Sequence, residues 1–150
     1  MDASYGGEEA RSQTGVIVFL GPQKTPVLWY TRRQDTVSLS ITEAEYIAVA
    51  EAAKDAAWMR QWLSETQISI GPPVIRTDNE AVDRLTDTQS YHRRTRHIDH
   101  RYHYIQQEVR EGHVLVKKIG GRENLADPLT KIVSPEPLRQ WMKDIGMKTV

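Results

Sequence analysis

The chain has no cysteine among its 150 residues, and it has no excess of charge, with 20 lysines and arginines against 20 aspartates and glutamates. The lack of cysteine excludes a disulfide framework and thiolate metal sites, and it suits a reducing compartment. Because the formal net charge is zero, any binding of nucleic acid must depend on local basic patches.

Long apolar segments and repeats are also lacking. No apolar run reaches the length that spans a membrane, and the first residues contain no signal-peptide core. The length suits one domain with a substantial core. We therefore expect a single globular domain without membrane association, located in the cytoplasm or the nucleus.

Turn residues divide the chain into strands and helices in a mixed order. Apolar or alternating runs predict strands at residues 15–20, 26–31, 36–40, 74–78 and 113–119. Helical patterns predict a long helix over residues 42–63, a helix over 96–111 that ends at Gly112, short helices over 79–85 and from 124, and a docking helix over 135–145. This order predicts an α/β fold, with a mixed sheet and helices on its faces.

Glu45 lies near the start of the long helix, on its apolar face. At about 100° per residue, Glu45 projects along a stripe of small apolar side chains, whereas Glu43 projects toward the opposite face, which can stay in water. A capping box offers a purely structural explanation, either between Thr42 and Glu45 or between Ser40 and Glu43. The spacing leaves both interpretations of Glu45 open.

Four acidic residues stand where ligand sites commonly form. Asp2 precedes a glycine loop, Glu45 begins a helix, Asp78 ends a strand and Asp127 lies in the first turn of a late helix. Converging carboxylates raise one another's pKa values and favour a divalent cation, here magnesium or manganese because the ligands are oxygens. Singly, Asp2 could belong to a frayed terminus, and Asp78 and Asp127 could stabilise helix N-termini.

Five motifs occur in order along the chain: DAS at 2–4, SITEAEYIA at 40–48, TDNEA at 77–81, RTRHIDHRYH at 94–103 and NLADPLTK at 124–131. As an ordered set they resemble the ribonuclease H domain at the end of the polyprotein of copia-type LTR retrotransposons. The resemblance implies a ribonuclease H-like fold over residues 1–131, with a five-stranded mixed sheet and flanking helices. Residues 132–150 would form a C-terminal docking helix and tail of the same domain.

The resemblance also implies an activity and a site. The activity is hydrolysis of the RNA strand of RNA–DNA hybrids during reverse transcription, with two Mg²⁺ or Mn²⁺ ions. The catalytic and metal-binding residues would be Asp2, Glu45, Asp78 and Asp127.

A basic and histidine-rich stretch covers residues 91–103. It is a candidate surface for phosphates and ribose hydroxyls, because hybrids are recognised mainly by backbone and shape. We expect nucleic-acid binding by Ser4, Asn79, Arg93, Arg94 and Arg96. The alternatives are a solvated helix face and, more weakly, a metal site built on His97, His100 or His103, which the neighbouring arginines oppose.

The chain departs from the family pattern in three ways. Only Met1 precedes Asp2, so we expect a truncated first strand, which threatens both the sheet and the first metal ligand, Asp2. Residues 120–123 replace a histidine that assists product release in many ribonucleases H, and these 150 residues do not include the polymerase that the resemblance would place upstream. An inactive or domesticated descendant that binds nucleic acid or protein is therefore the alternative function, and the partner could be an upstream reverse transcriptase or a second chain that supplies a strand.

Overall fold

A computed structural model of the protein describes residues 1–6, 10–80 and 99–147. These residues form two sheets with the strands β1 (Asp2–Ser4), β2 (Gln13–Leu20), β3 (Thr25–Arg33), β4 (Val74–Thr77) and β5 (Leu115–Lys118). Their helices are α1 (Ile41–Glu65), α2 (Asp99–Arg110) and α3 (Pro135–Asp144), with 3₁₀ turns at Gly121–Glu123 and Asp127–Leu129. The mixed α/β class is confirmed.

The strands of the described residues do not join into the single five-stranded sheet that the resemblance implies. β1, β2 and β3 form an antiparallel sheet in which Asp2 lies opposite Gly15, and β4 pairs with β5 in parallel. The two sheets approach each other at the start of β1, where the backbone nitrogen of Met1 donates to the carbonyl oxygen of Arg76 at 2.8 Å. α1 packs across β1, β2 and β4 and against α2, so one helix covers both sheets.

The first strand, β1, consists of three residues. Around β1, apolar side chains of both sheets and of the helices form one continuous core. Its buried members include Met1, Val16, Val49, Ile75, Ile105 and Val114. Tyr46 of α1 and Tyr102 of α2 add an edge-to-face contact with ring centroids 5.6 Å apart. β1 is therefore anchored by packing as well as by its pairing with β2.

The start of α1 is capped by Ser40 and Glu43. The Ser40 side chain accepts a hydrogen bond from the backbone nitrogen of Glu43 at 3.1 Å, and the Glu43 carboxylate accepts one from the backbone nitrogen of Leu39 at 2.7 Å. Glu43 is consequently buried, and the expectation that it faces water is wrong. Because Ser40 and Glu43 do the capping, Glu45 is not needed for it.

The predicted strand at residues 36–40 is an irregular segment. Polar side chains hold it: the Gln34 amide donates to the carbonyl oxygen of Ala44 at 2.8 Å and accepts from the Ser38 hydroxyl at 2.8 Å. In the predicted strand, the Leu39 side chain would face the core, but it is 71% exposed. A buried side-chain network has replaced the backbone ladder of a strand.

α2 and α3 agree with the sequence where they are described, whereas the short helix predicted from residue 124 is only a 3₁₀ turn over Asp127–Leu129. α2 ends at Arg110, and Gly112 follows with a φ of +69°, the left-handed conformation expected after a helix end. α3 lies within one residue of its predicted bounds, and the Trp141 indole donates to the carbonyl oxygen of Leu125 at 2.7 Å. The predicted helix over 79–85 lies mostly outside the described residues, and the domain boundary at residue 131 stays a prediction.

None of the helices in the described ranges combines the length and the apolar character that crossing a membrane requires.

Gly15 is the point at which β2 touches the segment that carries Asp127. A Cβ atom at Gly15 would lie 2.8 Å from Cγ2 of Thr130, 2.9 Å from Cβ of Leu129 and 3.1 Å from the carbonyl oxygen of Ala126. Contacts this short leave no room for a side chain, so this close approach requires glycine.

We expect Gly15→Ala to lower the free energy of unfolding by about 1–3 kcal/mol, the usual effect of overpacking a core. Urea denaturation measures this, with Gly71→Ala as the control, because a Cβ at Gly71 meets no atom within 4 Å. The control should stay within about 0.5 kcal/mol of the wild type. Equal stability of the two variants would contradict the close packing at Gly15.

Candidate metal centre

Three aspartates from distant parts of the chain meet at one edge of the fold. Asp2 lies in β1, Asp78 directly follows β4, and Asp127 begins a 3₁₀ turn. Each offers a carboxylate oxygen, and these oxygens all lie within 4.8 Å of one another. Asp2 is buried and the other two are partly buried, so water screens their mutual repulsion incompletely.

Glu45 adds a fourth carboxylate beside this group. It is 8% exposed, and its Oε2 has no hydrogen-bond partner among the described residues. Burial, followed by the charges of Asp2 and Asp78, raises the pKa of Glu45 to about 8, although the backbone N–H of Ala3 opposes this shift. Glu45 is not part of the group of three whose oxygens lie within 4.8 Å, but a buried carboxylate oxygen without a donor, close enough to feel the charges of Asp2 and Asp78, is well suited to a cation.

Asp2 is held by neutral donors. The Thr130 hydroxyl donates to its Oδ2, and the Asn124 amide lies 3.1 Å from its Oδ1. Burial raises the pKa of Asp2; the Thr130 hydrogen bond lowers it, and the charges of Asp127 and Asp78 raise it further. The short β1 thus places Asp2 with the other acids, although only one residue precedes it in the sequence.

Asn124 begins the segment for which the sequence predicts a short helix, with Asn124 as its N-cap. The structure has a 3₁₀ turn there that begins only at Asp127, and Oδ1 of Asn124 accepts from the backbone nitrogen of Ala126 at 3.2 Å within the loop before it. The amide nitrogen of the same side chain also lies 3.1 Å from the carbonyl oxygen of Met1 and 3.2 Å from Oδ1 of Asp78. The amide of Asn124 thus contacts both Asp2 and Asp78, which are far from it in the sequence. The local sequence pattern does not predict such contacts.

Lys131 is a second residue that sequence reasoning missed. Its ammonium group forms an ion pair with Asp127, while its side chain remains 56% exposed. The hydrogen bond to Asp127 raises the pKa of Lys131. The four-residue spacing of the pair within a turn was readable from the sequence, but the proximity to the other acids was not.

The loop of residues 120–123 approaches the centre from another side. A Cβ atom at Gly121 would lie 3.3 Å from Oδ2 of Asp78, so glycine lets the backbone pass close to this carboxylate. Within the described part of the chain, the three aspartates are the one group of histidines, cysteines and acids that comes close enough to share an ion. Among the residues that the structure describes, no such group includes His100 or His103 of α2, and His97 lies outside them.

Of the residues expected to bind nucleic acid, two can be placed. Ser4 is the last residue of β1, and Asn79 directly follows Asp78, with its backbone nitrogen donating to the Thr77 hydroxyl at 3.3 Å. Both side chains are partly buried, and in the sequence they lie within two residues of Asp2 and Asp78. The other three lie outside the described residues: Arg93, Arg94 and Arg96.

Comparison with known proteins gives relatives along nearly the whole chain. It is 36% identical over 149 residues to the retrovirus-related Pol polyprotein from transposon TNT 1-94 of Nicotiana tabacum. It is 34% identical to those from transposons RE2 and RE1 of Arabidopsis thaliana, over 149 and 152 residues. The chain is homologous to Pol polyproteins of transposons. These matches cover 97–99% of it.

The homology to Pol polyproteins confirms the retrotransposon part of the resemblance. The chain spans only 10–11% of the length of each of these relatives. A shorter match, 40% identical over 60 residues, covers 39% of the chain and 41% of the secreted RxLR effector protein 161 of Plasmopara viticola. No family model matches the chain, and no solved structure does.

Glu45 should make the stability of the metal-free protein depend on pH. Its pKa is about 8 in the folded state against an ordinary value of 4.5, so between these values the folded state keeps a proton that the unfolded state releases. The free energy of unfolding should therefore fall as pH rises through this range, by at most about 1.4 kcal/mol per pH unit from this residue.

We expect Glu45→Gln to reduce this slope, because glutamine cannot ionise. Urea denaturation in EDTA across this pH range measures it, with the exposed Glu65 at the other end of α1 changed to Gln as the control. Identical slopes in the wild type and Glu45→Gln would contradict the raised pKa.

Proposed function

We propose that this chain is a ribonuclease H module of a retrotransposon Pol polyprotein, which hydrolyses the RNA strand of RNA–DNA hybrids during reverse transcription. The observation that carries the proposal is the meeting of Asp2, Asp78 and Asp127 within 4.8 Å, with the buried Glu45 beside them. Homology to transposon Pol polyproteins supports the reverse-transcription context.

The donor set fits Mg²⁺ or Mn²⁺, and we propose two such ions, as the resemblance implies. All four side chains offer carboxylate oxygens, which these cations prefer, and the unpartnered Oε2 of Glu45 lacks the donor that a buried oxygen needs. Bound ions would supply activation of a water molecule and stabilisation of the leaving oxygen of a phosphodiester. The residues of the chain would hold these ions: Asp2, Glu45, Asp78 and Asp127.

The substrate would lie over this edge of the fold. Ser4 lies two residues after Asp2, Asn79 directly follows Asp78, and their polar side chains suit contacts with the sugar and phosphate groups of a hybrid. Arg93, Arg94 and Arg96 would supply positive charge for the phosphates. Because the chain has no net charge, we propose that the reverse transcriptase of the same polyprotein adds affinity for the hybrid.

A catalytically inactive binding module is the second candidate. The observation in its favour is that the described strands do not join into one sheet: β1 has three residues and meets β4 through the hydrogen bond from Met1 to Arg76. A partner chain would pair with an outer strand, β3 or β5.

Cleavage of a labelled RNA–DNA hybrid tests the two candidates. We expect metal-dependent cleavage of the RNA strand, and a loss of more than about 100-fold in Asp78→Asn, since losing a ligand should exceed the effect of losing an outer-shell partner. Asp144→Asn, an exposed aspartate of α3, is the matched control. Unchanged turnover in Asp78→Asn would refute the proposal, and a folded but inactive wild type would favour the binding module.

Lys131 should compete with metal ions for Asp127. We expect Lys131→Gln to tighten binding of Mn²⁺ by about twofold to fivefold, which corresponds to the upper range of exposed ion pairs. Isothermal titration calorimetry measures the affinity. Lys54→Gln is the control, because Lys54 is similarly exposed at 55% and pairs with Glu51 at 2.8 Å. Unchanged or weaker Mn²⁺ binding in Lys131→Gln would show that Lys131 does not compete.

A further inference from the structure

The side chain of Asn124 is buried between three segments of the chain. It is 5% exposed, and its Oδ1 accepts from the backbone nitrogen of Ala126 within its own loop. Its Nδ2 faces only acceptors: the carbonyl oxygen of Met1, Oδ1 of Asp2 and Oδ1 of Asp78. The opposite orientation of the amide would place an oxygen against three oxygens, so these contacts fix its orientation.

The amide group has two hydrogens for these three acceptors, which lie at 3.1, 3.1 and 3.2 Å. Two of the acceptors are carboxylates that repel each other, one in β1 and one after β4. A donor group shared between them fixes their separation without changing the charge of the cluster. Each carboxylate oxygen has two lone pairs, so this contact leaves lone pairs for a cation.

Thr130 completes the restraint on Asp2. Its hydroxyl donates to Oδ2 of Asp2 while the Asn124 amide lies against Oδ1, so both oxygens of this carboxylate are held by neutral groups. Neutral donors orient the carboxylate and leave its negative charge available to a divalent ion.

We propose that Asn124 is a positioning residue of the metal centre: its side-chain amide holds Asp2 and Asp78 in the relative orientation in which they bind divalent ions. This inference deepens the proposed function and rests on it. A purely structural role is the rival explanation, since Asn124 also caps the loop before Asp127 and bonds to the carbonyl oxygen of Met1.

The variant Asn124→Ser separates the two roles. A serine hydroxyl can still accept from the backbone two residues later, so the loop keeps its cap, whereas the shorter side chain loses the contacts with Asp2 and Asp78. We expect Asn124→Ser to weaken Mn²⁺ binding by about 10- to 100-fold, as for other outer-shell partners of metal ligands. Calorimetric titration of the full chain with Mn²⁺ measures this without substrate.

Gln34→Ala is the matched control. Gln34 is also a buried amide with several hydrogen bonds, to the Thr14 hydroxyl, the carbonyl oxygen of Ala44 and the Ser38 hydroxyl, but none of its partners is an acid of the metal centre. Because its removal breaks no contact with a metal-binding side chain, it should lower the melting temperature in EDTA and leave the Mn²⁺ affinity within about twofold of the wild type. Asn124→Ala should lose both stability and affinity.

The outcomes distinguish this inference from the proposed function. Wild-type Mn²⁺ affinity in Asn124→Ser, or equal losses of affinity in Asn124→Ser and Gln34→Ala, would overturn the positioning role and leave the metal centre standing. Absence of Mn²⁺ binding by the wild type would overturn the metal centre and the role of Asn124 together. If Asn124→Ala does not fold, the comparison of Asn124→Ser with Gln34→Ala still decides.

Discussion

Repulsion between carboxylates is the constraint on which the candidate site depends. Asp2, Asp78 and Asp127 offer oxygens within 4.8 Å of one another, and each comes from a different element of the fold. In the metal-free protein this arrangement raises the pKa values of buried acids and favours separation of the elements. Its persistence requires compensating donors, which the chain supplies through the Asn124 amide and the Lys131 ammonium group, the latter bound directly to Asp127.

The same constraint explains the close packing around β1. The short strand is paired with β2, bonded to β4 through the backbone of Met1 and covered by α1. Glycine at position 15 lets the Asp127 segment approach from one side, and glycine at position 121 lets a loop pass close to Asp78. Close backbone contacts on several sides thus restrain the acids. Side chains at positions 15 and 121 would push the segments that carry Asp127 and Asp78 away.

Features set by local sequence were predictable, and features set by distant contacts were not. α1 and the end of α2 at Gly112 follow from helix propensity and a left-handed C′ glycine. The strand predicted over residues 36–40 failed because buried side chains hold that segment. The four acids could be selected by position and by resemblance, whereas the contacts of Asn124 join residues 122 positions apart, and no periodicity reports such a pair.

Under the proposed function, metal and substrate must assist each other. The centre is an acidic cluster in a chain of zero net charge, and a hybrid presents a dense row of phosphates, so without cations the two repel. Ions held by the aspartates would remove this repulsion, and phosphate oxygens would in turn complete the coordination of the ions. Because coupling free energies are reciprocal, tighter metal binding and tighter hybrid binding would be two measures of one interaction. The neutrality of the Asn124 amide matters here, since a lysine in its place would weaken the attraction for the ions.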